Sequence, residues 1–195
     1  MYEDDNNIIL YKRLSTLCLP YFGCVKCLNN SLSYKNYNGI SLTMVHRLDY
    51  GTCGLMVATK VKDVNLSNQF WFKTMEKMYK LLCFSKSYKT SSCCCFNNTS
   101  VLILDKLKLY MVDCKLIVGK RHQIRLQTRC VVGDKMYSYK LYPKVYWDIL
   151  WSSIEHPVLT SCLISYEITE TKRIICVETK PSQISRYILI LFLKL

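Results

Sequence analysis

Short apolar runs separated by polar, glycine-containing stretches dominate the chain, and few segments carry helical spacing. Tyr2 to Asp5 reads as an acidic turn leading into Ile8-Ile9-Leu10-Tyr11, a first strand. Met44-Val45 and then Gly54-Leu55-Met56-Val57-Ala58 predict a buried strand after a polar loop. Met78–Phe84, Val101–Leu104, Lys108–Val118, Leu163–Thr169 and Arg173–Glu178 predict further strands. From Leu66 to Lys77 the apolar residues Leu66, Phe70 and Met75 fall on one side, which predicts a helix with Asp63 as its cap. Asn29–Asn38 and the Cys-rich Ser85–Ser100 read as loops, the second exposed. Many strands with few helices predict an α+β fold around a mixed, largely antiparallel sheet. No repeat or Pro/Gly-rich linker divides the chain, so residues 1–195 are expected to form a single domain.

Composition narrows the partners. There are 27 Lys and Arg against 14 Asp and Glu, a formal net charge of +13. Such an excess favours a polyanion, because each neutralised phosphate releases a counterion. Half the residues are apolar, enough for a sizeable core and far from the composition of a disordered tail. The apolar tail, residues 182–195, is shorter than the about 20 residues a membrane span needs. It predicts a buried last strand or helix.

Twelve cysteines raise two further possibilities. A disulfide scaffold suits small secreted chains, but this one is long and apolar, and its acidic start lacks a signal peptide's basic and apolar regions. Reduced thiols in an intracellular compartment, the cytoplasm or an organelle such as a mitochondrion or plastid, are expected. Zinc is the other possibility. Cys24-Val25-Lys26-Cys27 has ligand spacing, but no second such pair follows, and Cys93-Cys94-Cys95 are contiguous, so no metal site is expected.

Two clusters carry candidate chemistry. In His46-Arg47-Leu48-Asp49-Tyr50-Gly51-Thr52 a carboxylate follows a guanidinium by two residues, Gly51 permits a tight turn, and an apolar strand comes next. Alone, this reads first as an ordinary turn with a surface ion pair. In Val118-Gly119-Lys120-Arg121-His122-Gln123-Ile124-Arg125-Leu126-Gln127, three cations surround one aliphatic alternation. Read as a strand, Ile124 and Leu126 face one way and Arg125 the other. A solvated basic edge strand or helix fits, as does a cation held near an anion or a phosphate.

Together the clusters resemble the RluA-like family of RNA pseudouridine synthases. That family's loop reads approximately His-Arg-Leu-Asp-x-x-Thr-Ser-Gly-Leu, against His46 to Leu55 here. Its later motif, Gly-Arg-Thr-His-Gln-Ile-Arg-Val-His, is similar to Gly119–Gln127. Val132-Gly133-Asp134-Lys135-Met136-Tyr137 matches a Val-Gly-Asp-x-x-Tyr motif, and Lys77-Met78-Tyr79 a Lys-x-Tyr strand motif. Tyr11-Lys12-Arg13 keeps the lysine of the family's opening Asn-Lys-Pro and loses the proline. Cys53 stands for Ser and Gln127 for His. The ordered matches run from about residue 2 to about 181, and four in order are far more specific than any one.

The resemblance implies a single catalytic domain with a central RNA-binding cleft that isomerises specific uridines in structured RNA, ribosomal or transfer, to pseudouridine. It implies Asp49 as the catalytic carboxylate, Tyr79 as the ring that packs on uracil, and Arg125 as the cation paired with Asp49. Arg47, Lys120 and Arg121 are the implied RNA-binding residues, with Lys86, Lys89 and Arg129 as further cations for phosphates. His46, His122 and Gln123 are expected to hold loops. No cofactor is implied, and the partner is RNA rather than DNA or a membrane, met by a monomer with no separate S4-type RNA-binding domain. The alternative is a catalytically inactive RNA-binding module on the same scaffold. A complete Asp, Tyr and Arg set favours activity.

Overall fold

A computed structural model describes residues 2–20, 27–34, 42–60, 64–71, 74–84, 94–104, 109–117, 119–138, 154–168 and 170–181. The chain gathers into two compact units. One comprises Met1–Glu76 and Leu163–Thr179, the other Lys77–Cys162 and Lys180–Leu195. The described residues hold many strands and three short helices, the α+β class expected from the sequence.

The first unit opens with β1 (Tyr2–Glu3) and β2 (Asn7–Lys12), an antiparallel pair. Asp4 closes the turn between them. Its Oδ1 accepts the backbone N–H of Asn6 at 2.9 Å and of Asn7 at 2.6 Å, the local bonding that suits Asp to turns. β2 pairs with β4 (Cys53–Thr59) from Asn7↔Thr59 to Lys12↔Gly54, and β3 (Thr43–Met44) also pairs with β4. All seven residues of β4 are buried, as an uninterrupted apolar run demands. β8 (Leu159–Ile168) runs from the second unit into the first, where its last residues pair with β9 (Arg173–Glu178). Helix α2 (Val64–Trp71) adds Leu66 and Phe70 to a core of Ile9, Leu55, Val57, Met75, Ile164, Tyr166 and Ile175.

The expected helix over Leu66–Lys77 ends early. The N–H groups of Thr74 and Met75 both reach the Gln69 carbonyl, at 3.0 and 3.3 Å, so the chain turns back while Met75 still joins the core. The Gln69 side chain then imitates a strand, donating to the Glu167 carbonyl and accepting the Glu167 N–H. Helix α1 (Leu28–Tyr34) occupies part of the expected Asn29–Asn38 loop. Asn and Ser are weak helix formers, but the N–H groups of Leu28 and Asn29 are anchored on the carbonyls of Leu17 and Cys18, and tertiary context overrides propensity. Asp63 and residues 35–38 lie outside the described residues.

The second unit is built on β5 (Glu76–Cys83), β7 (Leu109–Leu116) and β6 (Cys94–Leu104), with β7 antiparallel to both. Part of β6 lies where a loop was expected. Its pairing shifts register between Asn97 and Val101, so the polar Asn-Asn-Thr-Ser stretch is absorbed as an irregularity in the strand. The chain beyond β7 forms helix α3 (Gln123–Thr128), and Cys130–Val132 then docks on the end of β5. Phe84 N–H donates to Cys130 O, Val132 N–H to Leu82 O, and Val158 N–H to Val132 O, at 2.8–3.1 Å.

Helix α3 decides between the strand and the helix that both fitted Ile124–Leu126. Ile124, Arg125 and Thr128 are buried together while Leu126 is 40% exposed, which no strand alternation produces. Among the described residues, no three His, Cys, Asp or Glu side chains gather where they could hold a metal ion, and no helix is long and apolar enough to cross a membrane. Cys24, Cys93 and residues 182–195 lie outside the described residues.

Candidate active site

The segment Val45–Thr52 is fixed to the buried strand β4 by its own backbone and side chains. Val45 N–H donates to Val57 O at 3.1 Å, and Val57 N–H returns to the His46 imidazole Nε2 at 3.1 Å. The acceptor role leaves Nε2 without a proton. His46 is buried and stacks on Phe70, with ring centroids 5.7 Å apart. Leu48, also buried, is held at its backbone by the Cys18 thiol, which accepts its N–H at 3.3 Å and donates to its carbonyl at 3.1 Å. Burial pushes the Cys18 thiol up, which keeps the proton it donates.

Alternation along the loop then turns Arg47 outward, Leu48 inward and Asp49 to a half-buried position, with Tyr50 exposed. Thr52 N–H closes a turn on Asp49 O at 3.0 Å. Gly51 lies inside that turn, as the sequence predicts. A positive φ, 119°, falls at Gly54, where β4 begins opposite Lys12.

Lys12 supports the loop from beneath. Its side chain is buried, and its ammonium donates to the carbonyls of Arg13, Thr16 and Tyr50 at 3.1, 2.9 and 3.3 Å. Burial pulls its pKa down; the Cys18, Cys53 and Asp49 groups nearby oppose that. The sequence flagged this lysine only as a retained motif residue. Its position at the end of an apolar strand, followed by a loop, was the available signal. Lys77 is a second buried lysine, likewise lowered by burial, on the same face of β5 as Tyr79. Tyr79 itself is buried, opposite Cys114 of β7.

Arg125 of the second unit is buried and held by a carboxylate. Its Nε donates to Asp134 Oδ2 at 2.8 Å and its Nη2 to Oδ1 at 2.9 Å, a bidentate pair with a fully buried carboxylate. The guanidinium carbon also lies 5.1 Å from the centre of the Tyr137 ring. Asp134 Oδ1 additionally accepts the N–H groups of Met136 and Tyr137, so one carboxylate orders both the helix and the following turn. The Asp134 partnership was missed in the sequence, although Asp134 is the only carboxylate between Gly119 and Ser138.

Asp49 and Arg47 thus belong to the first unit, and Tyr79, Arg125, Lys120 and Arg121 to the second. Arg47, Lys120, Arg121 and Arg129 are exposed. Lys86 and Lys89 lie outside the described residues.

Residues 6–129 match the family model described as RNA pseudouridylate synthase, which is more than half of the chain. The chain belongs to the RNA pseudouridylate synthase family. It is 25% identical over 170 residues to ribosomal large subunit pseudouridine synthase C of Rickettsia felis, covering 72% of this chain and 56% of that protein. The Rickettsia bellii protein of the same name is 28% identical over 174 residues, with 73% and 58% covered. The chain therefore spans little more than half the length of these curated relatives. Among solved structures, human RNA pseudouridylate synthase domain containing 4 superposes with a TM-score of 0.72 at 16% identity, covering 92% of this chain and 87% of that one. Human RNA pseudouridylate synthase domain containing 1 gives 0.60 at 15% identity, covering 92% and 81%. These likenesses establish the fold.

Proposed function

We propose that the chain is an active pseudouridine synthase, a single catalytic domain acting on structured RNA, with ribosomal RNA favoured by the names of its Rickettsia relatives. The observation that carries this reading is the Asp49 loop: a family motif held on a buried frame by His46, Cys18 and Lys12, with its carboxylate half-exposed.

The reaction breaks the bond between uracil N1 and ribose C1′ and joins C5 to C1′. The proton on C5 is released and N1 gains one, so atoms and electrons balance without a metal or a nucleotide. The chemistry needs one placed carboxylate, which attacks C1′ or removes a sugar proton. Asp49 takes that role. Uracil leaves the RNA stack to reach it, and an aromatic ring commonly receives a flipped base. Tyr79 is that ring. Arg125 supplies the positive charge that complements this carboxylate. Arg47, Lys120 and Arg121, all exposed, meet RNA phosphates.

Tritium release from RNA labelled at uridine C5 tests the proposal. Release in step with pseudouridine formation, lost in Asp49→Ala, is expected. Salt-sensitive RNA binding without release would instead assign a binding module.

A further inference from the structure

Arg125 is held on two sides, and the second side has no role in the reading above. Asp134 engages the Nε and Nη2 edge in the plane of the guanidinium. Its guanidinium carbon lies over the Tyr137 ring, 5.1 Å from the centroid. In-plane pairing stops the fork from sliding but leaves it able to tilt. A ring packed against the guanidinium limits the tilt, and a cation over an aromatic face gains attraction as well as contact.

Tyr137 is itself pinned. Its hydroxyl lies 2.9 Å from His122 Nδ1, and the two rings meet edge to face with centroids 5.7 Å apart. His122 reaches it from an uncommon backbone conformation, φ 53°, immediately before α3, and makes no side-chain bond to cap that helix. A side chain at the start of a helix that leaves the cap unmade and points at a tyrosine is serving that tyrosine. The chain of contacts is His122 to Tyr137 to Arg125, closed by Asp134, whose Oδ1 also bonds the Tyr137 N–H.

We propose that Tyr137 and His122 are positioning residues that fix the tilt of the Arg125 guanidinium, and so the direction in which its Nη1 edge presents charge for the reaction. The inference rests on the pseudouridine synthase reading. Neither residue touches substrate in this scheme. Both act through Arg125 alone.

The test is single-turnover tritium release, with enzyme in excess over C5-labelled RNA, for Tyr137→Leu and Tyr137→Phe, each with Arg125 intact and in an Arg125→Lys background. Phe keeps the ring and loses the hydroxyl, so the rate stays within about threefold of wild type. Leu loses the ring, and a misdirected group slows release by roughly 10–100-fold with RNA affinity unchanged. Lysine has no planar fork to tilt, so in that background Leu adds no further loss. A purely structural Tyr137 predicts the same fractional loss in both backgrounds, which overturns the inference, as does a Leu variant with full rate.

If Tyr137→Leu fails to fold, His122→Ala removes only the pin and follows the same pattern at a smaller scale. If Arg125→Lys abolishes release, the Arg125 Nε–H resonance decides. Its ring-current shift is lost in Tyr137→Leu or perturbed in His122→Ala, and an unchanged resonance in both overturns the inference. An inactive wild type overturns the pseudouridine synthase reading itself, whereas an active wild type with equal losses in both backgrounds overturns only the positioning roles.

Discussion

The Lys12 ammonium donates to the carbonyl of Tyr50, 38 residues further along the chain, at 3.3 Å. A buried cation thereby ties the end of β2 to the residue following Asp49. Lys12→Met keeps most of the volume and removes the donors, leaving three carbonyls to find other partners. A loss of about 1–3 kcal/mol is expected, read from denaturant unfolding.

The same lysine has a predictable pH signature. Burial lowers its pKa from 10.5, so the folded protein gives up the proton before the unfolded chain does. With fewer protons bound in the folded state, stability rises with pH between the depressed folded value and the unfolded value. The unfolding free energy of wild type relative to Lys12→Met therefore increases as pH climbs toward 10.5. A difference that falls over that window contradicts the assignment.

Asp134 is buried completely, and its partner Arg125 is nearly so. Asp134→Ala removes the carboxylate paired with a nearly buried cation, and breaking such a pair costs about 3–5 kcal/mol. It also removes the acceptor for Met136 and Tyr137 N–H. A variant as stable as wild type in thermal melts would refute the buried pair.

Gly133 places Asp134. It sits at φ +76°, and a Cβ there would collide with the His156 carbonyl oxygen and with Ile154 Cγ2. Gly133→Ala combines left-handed strain of roughly 1–2 kcal/mol with overpacking of about 1–3 kcal/mol. A clear drop in melting temperature is expected, with tritium release falling alongside.

Cysteine reactivity separates positions. Cys176 is exposed, whereas Cys83, Cys114 and Cys130 are buried free thiols. Burial pushes Cys83 well up, with its Cys130 and Cys114 neighbours adding to the shift. Iodoacetamide at mildly alkaline pH should label Cys176 before Cys83, Cys114 and Cys130, which mass spectrometry finds unlabelled until the protein unfolds.

Strands of one dominant pattern were legible from the residues. The continuous apolar run of β4 lies where its pattern puts it, because it is set by local burial, and β9 spans the expected Arg173–Glu178. For α3, strand and helix both fitted the residues. Ile124 and Leu126 alternate like a strand, and the pairing of Arg125 with Asp134 marks the helical period. α1 escaped for a similar reason, since its Asn and Ser residues prefer loops and are held by carbonyls of another segment. At the site, the motif supplied Asp49, but the scaffolding of Lys12 and Cys18 beneath it depends on contacts 30 or more residues apart, which spacing does not encode.

The central claim is that Asp49 is the carboxylate that makes pseudouridine. The direct measurement compares tritium release from C5-labelled ribosomal RNA by wild type and Asp49→Ala at matched concentrations, with RNA binding measured beside it. The account predicts release by wild type, none above background by the variant, and similar binding by both. Release by Asp49→Ala at the wild-type rate would contradict it.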